Sequence, residues 1–291
     1  MIRLLRQVGD VVHKALKYAM DITQPGASVL EICEKVEAYI RANDAKPAFP
    51  ANISINEVAA HYTAKRGDQL VVPKSGVVKI DVGAQKEGYI VDAAVTLVFG
   101  QPYASLAKAA RDALEAALNT ARPGVRAWQI GEAVEKVAKS YGFNPVYNLT
   151  GHKIERYLLH AGHVIPNYPD KSASQTLSHG DVYAVEPFVT NGEGYVVDGR
   201  EVTIYRLQRL RHKTMQPLID IITAEVGPLP FTPRWFPQIS DDVLNQALKN
   251  GVVHGYEVLV ERSRGFVAQF EDTIYVAEND VIPLARTLEL V

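Results

Sequence analysis

Two aspartates, Asp81 and Asp92, stand inside the stretch VVKIDVGAQKEGYIVDAAV (Val77–Val95), whose other positions are mostly apolar or β-branched. Strands that are to be buried rarely carry an unpaired charge. Val77–Val82 and Tyr89–Phe99 have strand composition, and Gln85-Lys86-Glu87-Gly88 between them has turn composition. A four-residue loop there would pair Ala84 with Tyr89 and set Asp81 directly opposite Asp92, with Cβ atoms roughly 4.5–5.5 Å apart on one face. Like charges so placed repel, and more strongly at low dielectric. A shared proton or a cation between them removes the repulsion; a different loop would leave one Asp in solvent.

More histidines and carboxylates lie in apolar settings. NLTGHKIERYLLHAG carries His152 and His160, GDVYAVEPFV carries Glu186, GFVAQFEDTIYV carries Glu271, and NEVAAHYTA carries His61. Taken singly, each reads more readily as a hydrogen-bonded buried histidine or an ion-paired glutamate than as a ligand. Together, four carboxylates and one imidazole suit two divalent first-row ions bridged by carboxylates. The positive charge of the metals would then account for the aspartate pair. No phosphate-binding loop, G-x-S-x-G or H-E-x-x-H motif competes with this reading.

Composition narrows the class. The chain has 291 residues, 47% of them apolar, and a net charge of −2, so no basic field points to nucleic acid. RLQRLRHK (Arg206–Lys213) is the one basic cluster, expected as a solvated helix face. The single cysteine, Cys33, excludes a disulfide framework and a cysteine-based zinc cluster, and its place in VLEICEKVEAYI suits a packed core thiol. The first residues lack a signal-peptide core and no apolar run reaches membrane-spanning length, so a cytoplasmic protein is expected.

Helical periodicity marks Arg3–Ile22, Val29–Asn43, Ser105–Ala121 and Ala127–Tyr141. The first pair matches the second at an offset of 98 residues, through Pro25-Gly26 with Pro123-Gly124, Ile32, Glu34, Val36 and Glu37 with Ile130, Glu132, Val134 and Glu135, and Pro47 with Pro145. A duplicated helix–helix–strand unit predicts two similar halves sharing a sheet, with a site at their seam. Residues 200–261 read as a mostly helical insertion without a counterpart in the repeat, inside a single catalytic domain spanning 1–291.

HYTA at His61, KIDVG at Asp81, YIVDAAVT at Asp92, GHKIERYLLHAG at His152 and His160, YAVEPF at Glu186 and AQFEDT at Glu271 together resemble the methionine aminopeptidases, type 2, in their short archaeal form. The resemblance runs from about Phe49 to the C-terminus. It implies an α+β pita-bread fold with two pseudo-symmetric halves around a central antiparallel sheet, plus a helical insertion. It further implies removal of the N-terminal methionine from nascent chains with a small second residue, by water that two divalent metals activate. Carried over by position, the metal ligands would be Asp81, Asp92, His152, Glu186 and Glu271, with Asp92 and Glu271 bridging. Glu186 would shuttle the proton, and His160 and His61 would act in catalysis and contact the substrate. Phe49 and Tyr256 would line the methionine pocket. Cobalt, manganese, iron and zinc all accept such a ligand set. Thr150 departs from the family, where Asn is frequent two residues before the metal-binding histidine. The implied partners are the N-termini of nascent polypeptides, with ribosome contact by analogy only, no membrane, no specific nucleic acid and a monomeric state. Two rivals share the fold: Xaa-Pro aminopeptidases and prolidases, which usually carry an additional N-terminal domain, and non-enzymatic RNA- or protein-binding relatives, which lose metal ligands.

Overall fold

The N-terminal helix Ile2–Ile22 (α1) buries Leu5, Val8, Val12, Leu16 and Ala19, a three-to-four-residue spacing that makes one apolar stripe. In the computed structural model, which describes residues 1–291, that stripe lies against a long hairpin. After α1 come α2 (Val29–Ala42), β1 (Lys46–Pro47), β2 (Asn52–Ile55), β3 (Val58–Ala60) and the hairpin β4 (Gly76–Lys86) and β5 (Tyr89–Phe99). The second half opens with α3 (Ala104–Thr120) and α4 (Ala127–Ser140), followed by β6 (Asn144–Pro145), β7 (Thr150–Lys153), β8 (Val164–Pro166), β9 (Val182–Val185) and β10 (Phe188–Thr190). Then follow β11 (Val196–Leu207), α5 (Gln216–Val226), α6 (Asp241–Lys249), β12 (Val253–Glu261), β13 (Val267–Gln269), β14 (Asp272–Val276) and β15 (Val281–Pro283). All strand pairings are antiparallel, and the helices make this an α+β fold.

The repeat persists in three dimensions. From α2 to α4, β1 to β6 and β2 to β7, each element reappears 98 residues later with the same length. Gly26 and Gly124, the matched residues before α2 and α4, both take left-handed backbone (φ 88° and 84°), which glycine adopts without strain. A backbone bridge between Ala94 and Glu271 joins the halves. Two threonines flank it reciprocally. The Thr96 hydroxyl donates to the Gln269 carbonyl (2.7 Å) and accepts from the Gln269 N–H (2.9 Å). Thr273 does the same for Asp92, at 2.7 and 2.8 Å.

The hairpin register corrects the sequence expectation. Lys86 pairs with Tyr89, so the loop is the two-residue turn Glu87-Gly88, and Gln85 and Lys86 belong to β4. Both turn residues have positive φ (55° and 82°), the geometry whose twist matches that of the flanking strands. Asp81 therefore faces Ala94, and Asp92 faces Gly83. The aspartates are diagonal neighbours rather than directly opposed. A shift of two residues keeps them on one face, and the diagonal spacing leaves room between the carboxylates. A side chain at Gly83 would strike the Phe49 ring.

Residues 200–261 are helical only in α5, α6 and a single 3-10 turn at Pro233–Trp235; the long antiparallel strands β11 and β12 bracket them. Arg206–Lys213 is not a helix face but the end of β11 and the loop after it. The inserted helices share a small core of Met215, Leu218, Ile222, Phe231, Phe236 and Leu244, separate from the main one. A buried ion pair fastens this unit to the first half. The Arg234 guanidinium grips the Glu37 carboxylate with two nitrogens, at 2.8 and 3.0 Å. Trp235 Nε1 donates to the same carboxylate at 2.7 Å, and the Ala51 N–H at 3.1 Å.

Removing one partner of a buried pair strands the other charge and costs about 3–5 kcal/mol. Arg234→Leu should therefore lower the melting temperature by on the order of 10 °C, read by scanning calorimetry. Glu37→Leu/Arg234→Leu should recover part of that loss, since no charge is then stranded; a single variant as stable as the parent would show that the pair does not hold the insertion.

Candidate metal centre

Each chemistry-bearing residue occupies a defined place on the sheets. Asp81 lies on β4, Asp92 on β5 and His152 on β7. Glu186 sits between β9 and β10, and Glu271 between β13 and β14. Asp92, His152 and Glu271 are buried, and each offers a ligand atom within 4.8 Å of the others. His152 Nε2 lies 3.5 Å from Glu186 Oε1 and 3.8 Å from Asp92 Oδ2. Asp81 lines the same cavity. The cavity has a volume of about 350 Å³, and Phe49, His61, His160 and Tyr256 are in its wall. Thr150, at the position where the family often has Asn, lines it too.

Within this cluster, Asp81 Oδ1, Asp92 Oδ1 and Glu271 Oε1 are buried and lack hydrogen-bond partners. Unpaired buried acceptors cost free energy unless something positive meets them. The only cation-forming side chain that approaches the carboxylates is His152, and burial foremost, then His160, drives its pKa down to about 3, so it is neutral. Burial pushes Asp81 up to about 7 against hydrogen bonds with Asp92 and Gln269. Burial also raises Asp92, Glu186 and Glu271 well above the carboxylate range, and their neighbours add to it: Asp81 and Glu186 on Asp92, Asp81 on Glu186, Asp92 and Glu186 on Glu271. Hard oxygen donors with one imidazole fit a divalent metal ion, and a cation there removes the conflict that burial and mutual repulsion create.

The histidines of the wall differ from His152. His61 has left-handed backbone (φ 65°), an uncommon state outside glycine that surrounding contacts must hold. Its Nδ1 is 3.2 Å from the Glu257 carbonyl, and Thr203 donates to its own carbonyl at 3.2 Å. A carbonyl only accepts, so Nδ1 carries the proton and Nε2 is an acceptor. Burial lowers the His61 pKa, against the Glu257 carbonyl, which raises it. His160 has its ring 4.3 Å from that of His152 and 6.4 Å from that of Tyr256. Burial, then His61 and Arg206, bring its pKa to about 4.

Gln269 escaped the sequence reading. Its side-chain amide donates to Glu271 Oε2 at 3.1 Å and approaches Glu186 Oε2 at 3.5 Å, tying two of the carboxylates together. The signal was its position two residues before Glu271, which on an extended chain points the same way. Asn52, opposite Asp81 in the β2–β4 register, was missed as well and lines the cavity.

With this geometry in hand, the chain matches metallopeptidase family M24 over residues 3–278. It is 42% identical to the methionine aminopeptidase of Pyrococcus horikoshii over 285 residues, which cover 95% of this chain and 97% of that protein. Among solved structures, a thermophilic Arx1 superposes with a TM-score of 0.83 at 20% identity, covering 100% of this chain and 94% of that one. The methionine aminopeptidase of Thermotoga maritima gives a TM-score of 0.72 at 23% identity, covering 98% and 96%. At those identities the two structures establish the shared fold.

The carboxylates predict an uncommon pH response. In the metal-free protein they keep protons that the unfolded chain has lost. Their contribution is complete below the unfolded values of 3.8 and 4.5 and is lost as pH rises toward Asp81's value of about 7 and beyond. His152 and His160 act the opposite way: their contribution is complete above 6.5 and lost as pH falls through about 4 and about 3. Above pH 6.5 only the carboxylates still change. The melting temperature in EDTA should therefore fall between pH 6.5 and 8, and Mn²⁺ should raise it more at pH 8 than at 6.5. Calorimetry reads both, and a flat or rising profile without metal would count against a carboxylate cluster that needs a cation.

Proposed function

The chain belongs to metallopeptidase family M24, and on that premise we propose that it removes the N-terminal methionine from nascent polypeptides whose second residue is small, with two divalent ions held by Asp81, Asp92, His152, Glu186 and Glu271. Its activity is that of a metal-dependent methionine aminopeptidase, the function of relatives that match it almost end to end. The observation that carries the finer reading is the convergence of Asp92, His152 and Glu186 on a cavity walled by Phe49 and Tyr256, with Glu271 within reach of Asp92 and His152.

When bound, divalent cobalt, manganese, iron or zinc supplies Lewis acidity, lowering the pKa of water and polarising a carbonyl. The chain's own residues do the rest. Glu186, whose carboxylate burial and then Asp81 shift above its ordinary value, can accept a proton and return it to the leaving amine. His160, neutral at that pH, can donate an N–H to the oxygen that gains charge as the peptide carbonyl is attacked. His61 presents Nε2 as an acceptor for a substrate N–H. The rings of Phe49 and Tyr256 suit a flexible thioether through dispersion and sulfur–aromatic contact.

No helix is long and apolar enough to cross a membrane. The reading puts the enzyme in the cytoplasm as a monomer meeting N-termini as they leave the ribosome; its support is the substrate, which exists at the start of newly made chains.

The test is a peptide panel scored by kcat/KM with excess divalent metal. Met-Ala and Met-Ser peptides should be cleaved well, and Met-Lys, Met-Leu and Met-Phe peptides poorly. Equal rates for Met-Ala and Met-Phe peptides, or an Ala-Pro peptide cleaved faster than Met-Ala, would overturn the assignment.

His160→Ala should keep its metal, read by elemental analysis, while losing on the order of 10²–10³ in turnover. Loss of metal in that variant would show His160 to be a ligand instead.

A further inference from the structure

Beyond the metal centre the cavity continues. A second hollow of about 180 Å³ shares Leu159, His160, Pro230 and Tyr256 with the first and adds Arg206 and His254. These two come from neighbouring strands: Ile204 pairs with Tyr256, and Arg206 with His254. Partners in register, and residues two apart on one strand, share a face. The four side chains thus form one wall, Ile204 and Tyr256 toward the metal centre and Arg206 and His254 beyond them.

Arg206 is out of balance with this setting. Its Nε is buried without a hydrogen-bond partner. No Asp or Glu lines the hollow. The guanidinium acts on its neighbours nonetheless: burial raises the Tyr256 phenol, and Arg206 pulls it back down. The His254 ring lies 5.1 Å from that of Tyr256 and closes the other side of the wall. The loop leaving β11 adds the exposed Arg209, Arg211 and Lys213 with no acidic residue among them. A guanidinium presents a planar fork of donors that matches a carboxylate, and no carboxylate of the hollow's lining meets this one.

We propose that Arg206, flanked by His254, forms a carboxylate-binding subsite for the part of the peptide lying past the residue that follows methionine. This rests on the function proposed above, which places the scissile bond in the first cavity, so the chain leaving past His160 and Tyr256 enters the second. The carboxylate can be an Asp or Glu side chain at the third position or the free C-terminus of a short peptide. Arg206 in this role sets specificity and takes no part in bond cleavage.

Two peptide pairs separate the sources: Met-Ala-Glu-Ala amide against Met-Ala-Gln-Ala amide, and Met-Ala-Ala as free acid against its amide. The metal-loaded wild-type enzyme should prefer the acidic member of at least one pair by on the order of tenfold in kcat/KM, the size of a charge-assisted hydrogen bond in a partly exposed site, and carried mainly by KM. Arg206→Leu should bring that ratio to one, and Arg206→Lys should keep part of it. A ratio near one for both pairs in the wild type, or a preference that survives Arg206→Leu, would overturn the subsite while leaving the aminopeptidase assignment standing. No cleavage of any of the four peptides would overturn that assignment and the subsite with it.

Discussion

Four largely buried carboxylates gathered around one neutral imidazole cannot all ionise without a positive charge among them. Most of the architecture serves to bring them there regardless. Asp81 and Asp92 come from one hairpin, His152 and Glu186 from the second half, and Glu271 from the link between β13 and β14, which a backbone bridge joins to the hairpin. The orphaned oxygens of Asp81, Asp92 and Glu271 are then not packing faults. They are lone pairs that a cation would satisfy, and the free energy of binding one would offset what burial costs.

Duplication gives this arrangement its geometry. Helices α2 and α4, with the short strands that follow them, repeat at one spacing, and Thr96 and Thr273 bond reciprocally to the backbones of Gln269 and Asp92 across the seam. Each half positions its own carboxylates, and the seam determines the distance between the two sets. Gln269 occupies the place in the second half that Asp92 occupies in the first. Its amide bonds to the Glu271 carboxylate in place of a further like charge. The cluster thus holds four carboxylates rather than five, which limits the repulsion a cation would have to balance.

The inserted unit supplies what the duplicated halves lack, a wall. Strands β11 and β12 carry Ile204, Arg206, His254 and Tyr256 to the open side of the cavity, and α5 and α6 cover the outer end of that ribbon with their own small core. The Glu37–Arg234 pair is its anchor, buried, bidentate and also bonded by Trp235 and the Ala51 backbone. An ion pair in that setting gives little net stability, but it demands one geometry, because any other leaves a buried charge alone. Placing Tyr256 and Arg206 within reach of His160 needs that kind of definition.

The residue types of the centre were legible because chemistry restricts them: few side chains bind a divalent ion, and a charge within an apolar strand stands out. The helices and their duplication were legible too, since amphipathic periodicity and Pro-Gly turns are local properties. Register was not. The four-residue loop expected over Gln85–Gly88 and the two-residue turn at Glu87-Gly88 have the same composition, and the choice between them rests on strand twist and on Tyr157, which packs where a side chain on Gly88 would be. The reading of residues 200–261 as mostly helical failed because β11 and β12 carry charged residues on a partly exposed ribbon and lack the apolar runs that mark buried strands. Gln269, Asn52 and Arg206 are ordinary polar residues in sequence. Tertiary structure alone decided their surroundings, because it places strands far apart in the chain side by side, and a side chain's protonation and partners depend on what those strands bring.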